Sequence, residues 1–242
     1  MESLLDREVV ADVKENTGVP YVAFFSLKSP KAGEVKAALP DISEGEAYLR
    51  WPEGYMRKLV PFTTFFVDGV RYYADVDPDN GKIGDSSWTP QLDDKGRPDF
   101  KSPLKEHVEA ALIVVTTDRL VPAKCVFRPS KTPAASKMIK ASRDAKTPDW
   151  LTYGELYQQS VAGLGRELTF ARFLAIISST RVISKVGKGA GKPYFKADAV
   201  IIPAAPEVQN RLSELLNTKR DEYTNLTSWF DQRVAYLKGI IK

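Results

Sequence analysis

Short runs of β-branched and aromatic residues recur along the first 203 positions of the chain, and turn residues separate them. This pattern is typical of β-strands that are joined as hairpins. Asp68-Gly69 is a dipeptide of tight turns and is predicted to connect two of these strands. The predicted strands cover residues 21–27, 46–51, 59–67, 70–76, 110–117, 120–127, 167–184 and 194–203.

Helices are predicted between and after these strands. One follows the hairpin 110–127 and runs to about residue 145, because Ser130 or Thr132 can cap its start and Pro133 suits its first turn. Apolar residues spaced three and four apart predict a long helix at the end of the chain. The other predicted helices cover residues 4–15, 149–162 and 205–242.

Antiparallel hairpins with helices inserted between them predict an α+β fold. A small, partly open barrel fits the pattern, and an α+β sheet fits it nearly as well. Residues 1–203 are predicted to form the β-rich domain, with helices inserted at about 130–162 and a long polar loop at 77–106. Residues 205–242 are predicted to be a helical appendage, either one unbroken helix of ~55 Å or two shorter helices with a break near Asn217-Thr218. The appendage is expected to cover a sheet face or to join copies into a homo-oligomer.

The charge of the chain is distributed unevenly. Residues 1–110 contain 14 Lys/Arg and 20 Asp/Glu, whereas residues 111–203 contain 15 and 6, although the whole chain has a net charge of only +4. Such asymmetry indicates a charged partner, here a polyanion. The alternative is that these lysines are ordinary solvated surface.

Two basic clusters account for this excess, and aromatic residues lie beside them. Single-stranded nucleic acid requires cations for its phosphates and aromatic faces for its bases. In predicted strands, Tyr194 shares a face with Lys196, and Phe170 shares a face with Arg172. Further aromatic candidates near loops are Trp51, Tyr55, Tyr72 and Trp88. The first cluster comprises Arg119, Lys124, Arg128, Lys131, Lys137, Lys140, Arg143 and Lys146, and the second comprises Arg181, Lys185, Lys188, Lys192 and Lys196. The residues predicted to bind nucleic acid are Lys124, Arg128, Lys131, Lys137, Lys140, Arg172, Arg181, Lys185, Lys188, Lys192, Tyr194 and Lys196.

Residue types that carry catalysis are scarce. His107 and Cys125 are the single histidine and cysteine, so neither a histidine-dependent triad nor a zinc-ligand set is expected. Cys125 alternates with apolar residues and is predicted to be a buried hydrophobe. The stretch 75–81 departs from a calcium loop, and 187–192 departs from a phosphate-binding loop, in the spacing of their glycines. No cofactor or metal is therefore expected, and the chain is predicted not to be an enzyme.

The chain is expected to be cytoplasmic and without membrane contact. No apolar run approaches the ~18–20 residues of a membrane helix. The N-terminus is more charged than a signal peptide. A single cysteine cannot form an intramolecular disulfide, which favours a reducing compartment.

One segment resembles a known class of protein. The hairpin at 110–127 is followed by a short basic helix and then by two strands that a Gly/Lys turn joins, over about residues 108–203. The helix begins Arg128-Pro129-Ser130-Lys131-Thr132-Pro133-Ala134-Ala135-Ser136-Lys137. This order is similar to phage- and plasmid-type single-stranded DNA-binding proteins with OB-like barrels. The resemblance implies a partly open OB-like barrel that coats single strands during replication or recombination. It implies that Lys124, Arg128, Lys131, Lys137 and the 181–196 hairpin lie along the groove. The chain ends neutral to basic, unlike the acidic tails by which bacterial single-strand binders recruit partners.

Three functions are consistent with the sequence. The first is non-enzymatic nucleic-acid binding, with single-stranded DNA favoured. The second is a structural or protein-interaction module that self-associates through its acidic and basic surfaces. The third is a carboxylate-dependent nuclease that uses a divalent ion in the loop 75–85.

Overall fold

A computed structural model of the chain describes residues 18–77, 82–99, 101–144, 173–184 and 191–241. In these ranges the fold is α+β, as predicted: a curled, mostly antiparallel sheet of nine strands carries four helices. The strands are β1 (Tyr21–Phe24), β2 (Ala47–Arg50), β3 (Met56–Leu59), β4 (Phe62–Val76), β5 (Ile83–Ser87), β6 (Lys105–Val115), β7 (Leu120–Phe127), β8 (Phe173–Ile183) and β9 (Pro193–Pro203). The helices are α1 (Ala32–Ala38), α2 (Thr132–Asp144), α3 (Pro206–Thr218) and α4 (Arg220–Ile240).

The sheet is a half-barrel in which the strands follow the order β3-β2-β1-β7-β6-β4-β8-β9. β5 lies outside this path and pairs with the second half of β4, within the segment predicted to be a loop. β1 and β7 are parallel, and the other pairs are antiparallel. It follows that β2, β6 and β8 run in one direction, and the turns after β2 and β6 lie at one end of the sheet.

The hairpin predicted at Asp68-Gly69 is wrong, because β4 continues through this dipeptide. Both halves of β4 pair with β6, and the register shifts by a bulge between Phe66 and Asp68. Glycine at position 69 allows the Phe66 ring to lie close to the backbone, and it is not needed for a turn. A Cβ there would lie 2.5 Å from Cζ of Phe66. The bulge also changes which residues face the C-terminal helices, from Phe65 before it to Tyr72 after it.

Both faces of the sheet are covered. On the inner face, Phe62 and Leu112 pack with Met138 of α2. On the outer face, Ile113 packs with Leu212 of α3. This explains why residues 110–114 of β6 are all apolar and all buried.

The C-terminal helices form the cover of the outer face. Of the two alternatives for the C-terminal segment, the structure has the one with a break near Asn217-Thr218, since α3 ends at Thr218 and α4 begins at Arg220. Their apolar residues were predicted from spacings of three and four, and these side chains face the sheet. The buried ones are Leu212, Leu216, Tyr223, Leu226, Phe230, Leu237 and Ile241.

A buried ion pair fastens α4 to the sheet. Arg233 donates from Nε to Oε2 of Glu109 at 2.6 Å and from Nη2 to Oε1 at 2.8 Å. The hydroxyl of Tyr72 donates to the same carboxylate at 2.8 Å. Burial alone would lower the pKa of Arg233, but the hydrogen bond and charge of Glu109 raise it. All three side chains are buried, so this pair is shielded from water and salt.

Several predicted elements are settled only in part. The helices predicted at 4–15 and 149–162, and the start of the strand predicted at 167–184, lie outside the described residues. Within the described ranges, no helix is both long enough and apolar enough to cross a membrane.

Candidate nucleic-acid interface

The β8–β9 hairpin extends beyond the sheet as an arm. β8 pairs with β4 as far as Ile177, opposite Phe62, but its pairing with β9 continues to Ile183, opposite Pro193. We call the described residues 178–184 and 191–198 the arm. The six residues of β8 beyond Ile177 give the arm a length of about 20 Å, at ~3.3 Å per strand residue.

The arm presents basic residues on both of its faces. Lys192, Lys196 and Arg181 are exposed, and Tyr194 is 39% exposed. Tyr194 and Lys196 alternate along β9 and share one face, whereas Arg181 stands opposite Phe195 on the other. No acidic residue occurs between positions 181 and 196. The arm is therefore a cationic ribbon with an aromatic ring on one side.

The first basic cluster adjoins the base of the arm through α2. Nζ of Lys137 lies 2.8 Å from Oδ1 of Asp198, and the hydrogen bond from Lys137 lowers the pKa of Asp198. The backbone N–H of Ala197 donates to the carbonyl of Ser130 at 3.0 Å. Lys140 is exposed one helical turn from Lys137. The two predicted clusters therefore meet in space, although 41 positions separate Lys140 from Arg181 in the chain.

Lys131 was predicted to contact nucleic acid, but it is only 8% exposed. Its Nζ donates to the carbonyl of Phe195 at 2.6 Å and to Oγ of Ser179 at 3.2 Å, and lies 4.9 Å from the centre of the Phe24 ring. Burial lowers its pKa to about 8, and the charge of Glu44 partly opposes this shift. Lys131 therefore fastens the arm to the barrel and is removed from the interface.

Lys124 is also removed from the interface. It projects away from Cys125, as predicted, but α4 covers that face of β7. Lys124 is 4% exposed, and its Nζ lies 5.6 Å from the centre of the Trp229 ring. Tyr72, an aromatic candidate on the same sheet face, is 2% exposed and cannot stack on a base. The predicted alternation of side chains along β7 was correct, but it could not show that α4 covers the face that carries Lys124.

The remaining predicted residues fall into two groups. Arg172, Lys185 and Lys188 lie outside the described residues. The predicted residues that are described and exposed are Arg128, Lys137, Lys140, Arg181, Lys192, Tyr194 and Lys196.

A further aromatic and basic cluster forms where two turns meet. Tyr55, in the β2–β3 turn, is 61% exposed, and its ring centre lies 5.0 Å from that of Trp51 at an angle of 50°. The guanidinium of Arg119, in the β6–β7 turn, lies 5.3 Å from the centre of the Trp51 ring. Each of these residues was a candidate from the sequence, but no local pattern could predict that residues so far apart in the chain are in contact.

The single cysteine and the single histidine are both buried. Cys125 is 1% exposed, as predicted for a buried hydrophobe, and burial raises the pKa of its thiol. His107 is 5% exposed and stacks on Tyr72 with ring centres 5.5 Å apart. Among the described residues, no group of three His, Cys, Asp or Glu side chains could hold a metal. Part of the stretch 75–81 lies outside those residues.

His107 should titrate near pH 4 in the folded protein. Burial lowers its pKa to about 4 from 6.5; the charge of Arg128 lowers it further and that of Glu109 opposes the shift. Between these pH values the unfolded chain binds a proton that the folded chain does not, so stability falls as pH falls from about 6.5 to 4. The full loss is about 3 kcal/mol. Because the chain has one histidine, a single imidazole NMR signal followed against pH reports this value directly.

The His107→Gln variant is the control for the carboxylates that titrate in the same range. Its stability should fall less than that of the original chain over this pH interval. An NMR midpoint near 6.5 would contradict the assigned environment.

Comparison with known proteins adds no relative from which to transfer a role. No protein-family model matches the chain, and neither a curated protein nor a solved structure matches it.

Proposed function

We propose that the chain is a non-enzymatic nucleic-acid-binding protein that prefers single-stranded DNA and acts in replication or recombination. The observation that carries this proposal is the contact between α2 and the arm, at Lys137 and Asp198, which brings the two basic clusters together. Asp198 offsets one of these charges, but Arg181, Lys192 and Lys196 extend the positive surface beyond it.

The preference for single strands follows from the chemistry of the arm. Phosphates bind lysine and arginine regardless of sequence, with release of counterions. Unpaired bases stack on exposed aromatic rings, which duplex bases cannot do. Tyr194 stands between Lys192 and Lys196 along β9 and could meet a base while its neighbours meet phosphates. Cations on both faces of the arm suit a flexible strand that can bend around it.

The order of five strands supports an OB-like barrel as the framework. The long bulged strand β4 is followed, apart from β5, by β6, β7, the helix α2 and the hairpin β8–β9, whose first strand returns to pair with β4. We propose that these strands correspond in order to those of an OB-like barrel, a partly open Greek-key barrel. In such barrels the turn between the fourth and fifth strands contacts oligonucleotides, and in this correspondence that turn belongs to the arm.

The proposal is tested by fluorescence anisotropy with a labelled oligo-dT and the same DNA as a duplex. We expect the single strand to bind more tightly, with an affinity that falls steeply between about 50 and 200 mM salt. Absence of binding to the single strand at the lower salt concentration would refute the proposal.

Self-association is a second candidate, because the arm and its base also expose apolar side chains. Ile183 and Val200 are each 62% exposed. Light scattering after size exclusion, with and without oligo-dT, separates the candidates: self-association through these apolar side chains predicts an oligomer that persists at high salt and is unchanged by DNA.

A further inference from the structure

We propose that Trp51, Tyr55 and Arg119 form a second contact for the same DNA strand, in which an unpaired base stacks on Tyr55. This inference rests on the proposed function and extends it to a part of the chain outside the five barrel-like strands. The cluster offers the two groups that single strands require, an exposed aromatic face and a neighbouring cation.

Tyr55 is held as an exposed and ordered ring. Its backbone carbonyl accepts the N–H of Trp51 at 2.9 Å, and the N–H of Gly54 donates to the carbonyl of Trp51 at 3.0 Å. Gly54 has a positive φ of 92°, which suits glycine in this tight turn. Trp51 packs partly against the inner core and supports Tyr55 from one side. Stacking on a ring that is already ordered costs little conformational entropy.

Arg119 supplies the charge beside the rings. The neighbouring carboxylate, Asp118, accepts a hydrogen bond from Arg57, which lowers the pKa of Asp118 and keeps it ionised. Arg57 also donates to Oγ1 of Thr117 at 2.6 Å, so the β2–β3 and β6–β7 turns are fastened together. The guanidinium of Arg119 lies over the Trp51 ring and is exposed, where it can meet a phosphate while the base meets Tyr55.

The cluster and the arm lie at different ends of the curled sheet. The cluster lies where β2 and β6 end, since the guanidinium of Arg119 contacts the Trp51 ring. The arm packs where β1 and β7 end, since Lys131 contacts the Phe24 ring and donates to the carbonyl of Phe195. A single strand that contacts both sites must therefore run along the sheet from one end to the other.

The test compares Tyr55→Ala with Tyr55→Phe, and with Leu92→Ala as a control. Leu92 is 59% exposed and lies in the loop between β5 and β6. We expect Tyr55→Ala to weaken oligo-dT binding by about 5- to 150-fold, from the ~1–3 kcal/mol of one stacked base. Tyr55→Phe keeps the ring and Leu92→Ala lies elsewhere, so both should bind like the original chain.

Three further tests separate stacking from other effects. The slope of affinity against salt should be unchanged in Tyr55→Ala, because no phosphate contact is lost. An oligonucleotide of abasic sites has nothing to stack, so the original chain and Tyr55→Ala should bind it equally. Tyr55→Leu keeps the bulk of the side chain but has no ring, and it should be weakened as much as Tyr55→Ala.

The failures of the two proposals are distinguishable. If the original chain binds oligo-dT and both Tyr55→Ala and Tyr55→Leu bind it equally well, the stacking site is refuted and the proposed function stands. If the original chain does not bind oligo-dT at low salt, the proposed function itself is refuted.

Discussion

Replacing Glu109 by glutamine should lower the free energy of unfolding by about 3–5 kcal/mol, because it leaves the Arg233 charge buried without a counter-ion. The two groups form a bidentate pair, and the exposed fraction of each residue is under a tenth. Glutamine can still accept the hydrogen bond of the Tyr72 hydroxyl, so the loss reports the charge. Urea denaturation at neutral pH, followed by circular dichroism, measures it.

Two variants give this prediction its controls. Glu222→Gln breaks the exposed pair between Lys219, which precedes α4, and Glu222 in the first turn of α4, and should cost no more than about 1 kcal/mol. The double variant Glu109→Gln with Arg233→Met removes both charges and should recover most of the lost stability, since buried pairs are often replaced by apolar groups at little cost. A loss below 1 kcal/mol for Glu109→Gln alone would contradict the environment described for the pair.

Removing the three cations of the arm should weaken binding of oligo-dT by about 100-fold at 0.1 M salt. Each phosphate contact on a single strand contributes about 0.7 to the slope of log affinity against log salt, so three contacts contribute about 2. If the original chain and the variant without these cations bind equally near 1 M salt, a slope change of about 2 over the tenfold step to 0.1 M gives the expected 100-fold loss of affinity. The triple variant Arg181→Ala, Lys192→Ala and Lys196→Ala tests this by anisotropy at several salt concentrations.

The matched control removes three exposed lysines elsewhere. Lys28→Ala, Lys95→Ala and Lys238→Ala change the net charge by the same amount but lie outside the arm and α2. We expect this variant to keep the original salt slope. Equal weakening in both triple variants would mean that binding depends on net charge alone, and the arm would lose its assigned role.

Local sequence patterns were sufficient to predict most of the strands and helices that the structure describes. The hairpin β6–β7 and the start of α2 near Thr132 and Pro133 depend on neighbouring residues, and the structure has them where they were predicted. The sequence did not decide whether α3 and α4 are one helix, because the seven residues from Leu216 to Tyr223 keep the helical spacing of the apolar side chains. The exposed arm was also predictable in outline, since its strands flank a Gly/Lys turn.

Long-range contacts account for what local patterns could not predict. Asp68-Gly69 has the composition of a tight turn, but pairing of both halves of β4 with β6 imposes a bulge instead. Lys124 and Lys131 look like surface cations in sequence, and they are buried by α4 and by the arm, which come later in the chain. For the same reason the cluster of Trp51 and Arg119 depends on two turns that only the tertiary fold brings together.

The pairing of β1 with β7 and the packing of α4 on β6 also affect the rate at which the chain folds. Arg233 and Glu109 are 124 residues apart, and Arg211 and the Thr116 carbonyl that it contacts are 95 residues apart. Closing such long loops is entropically costly before any contact is gained, so chains of this kind fold slowly. During synthesis, the outer face of β6 is covered only after α3 and α4, at the end of the chain, have been made. Until then a strongly apolar strand stays exposed, and transiently exposed apolar strands are prone to aggregate.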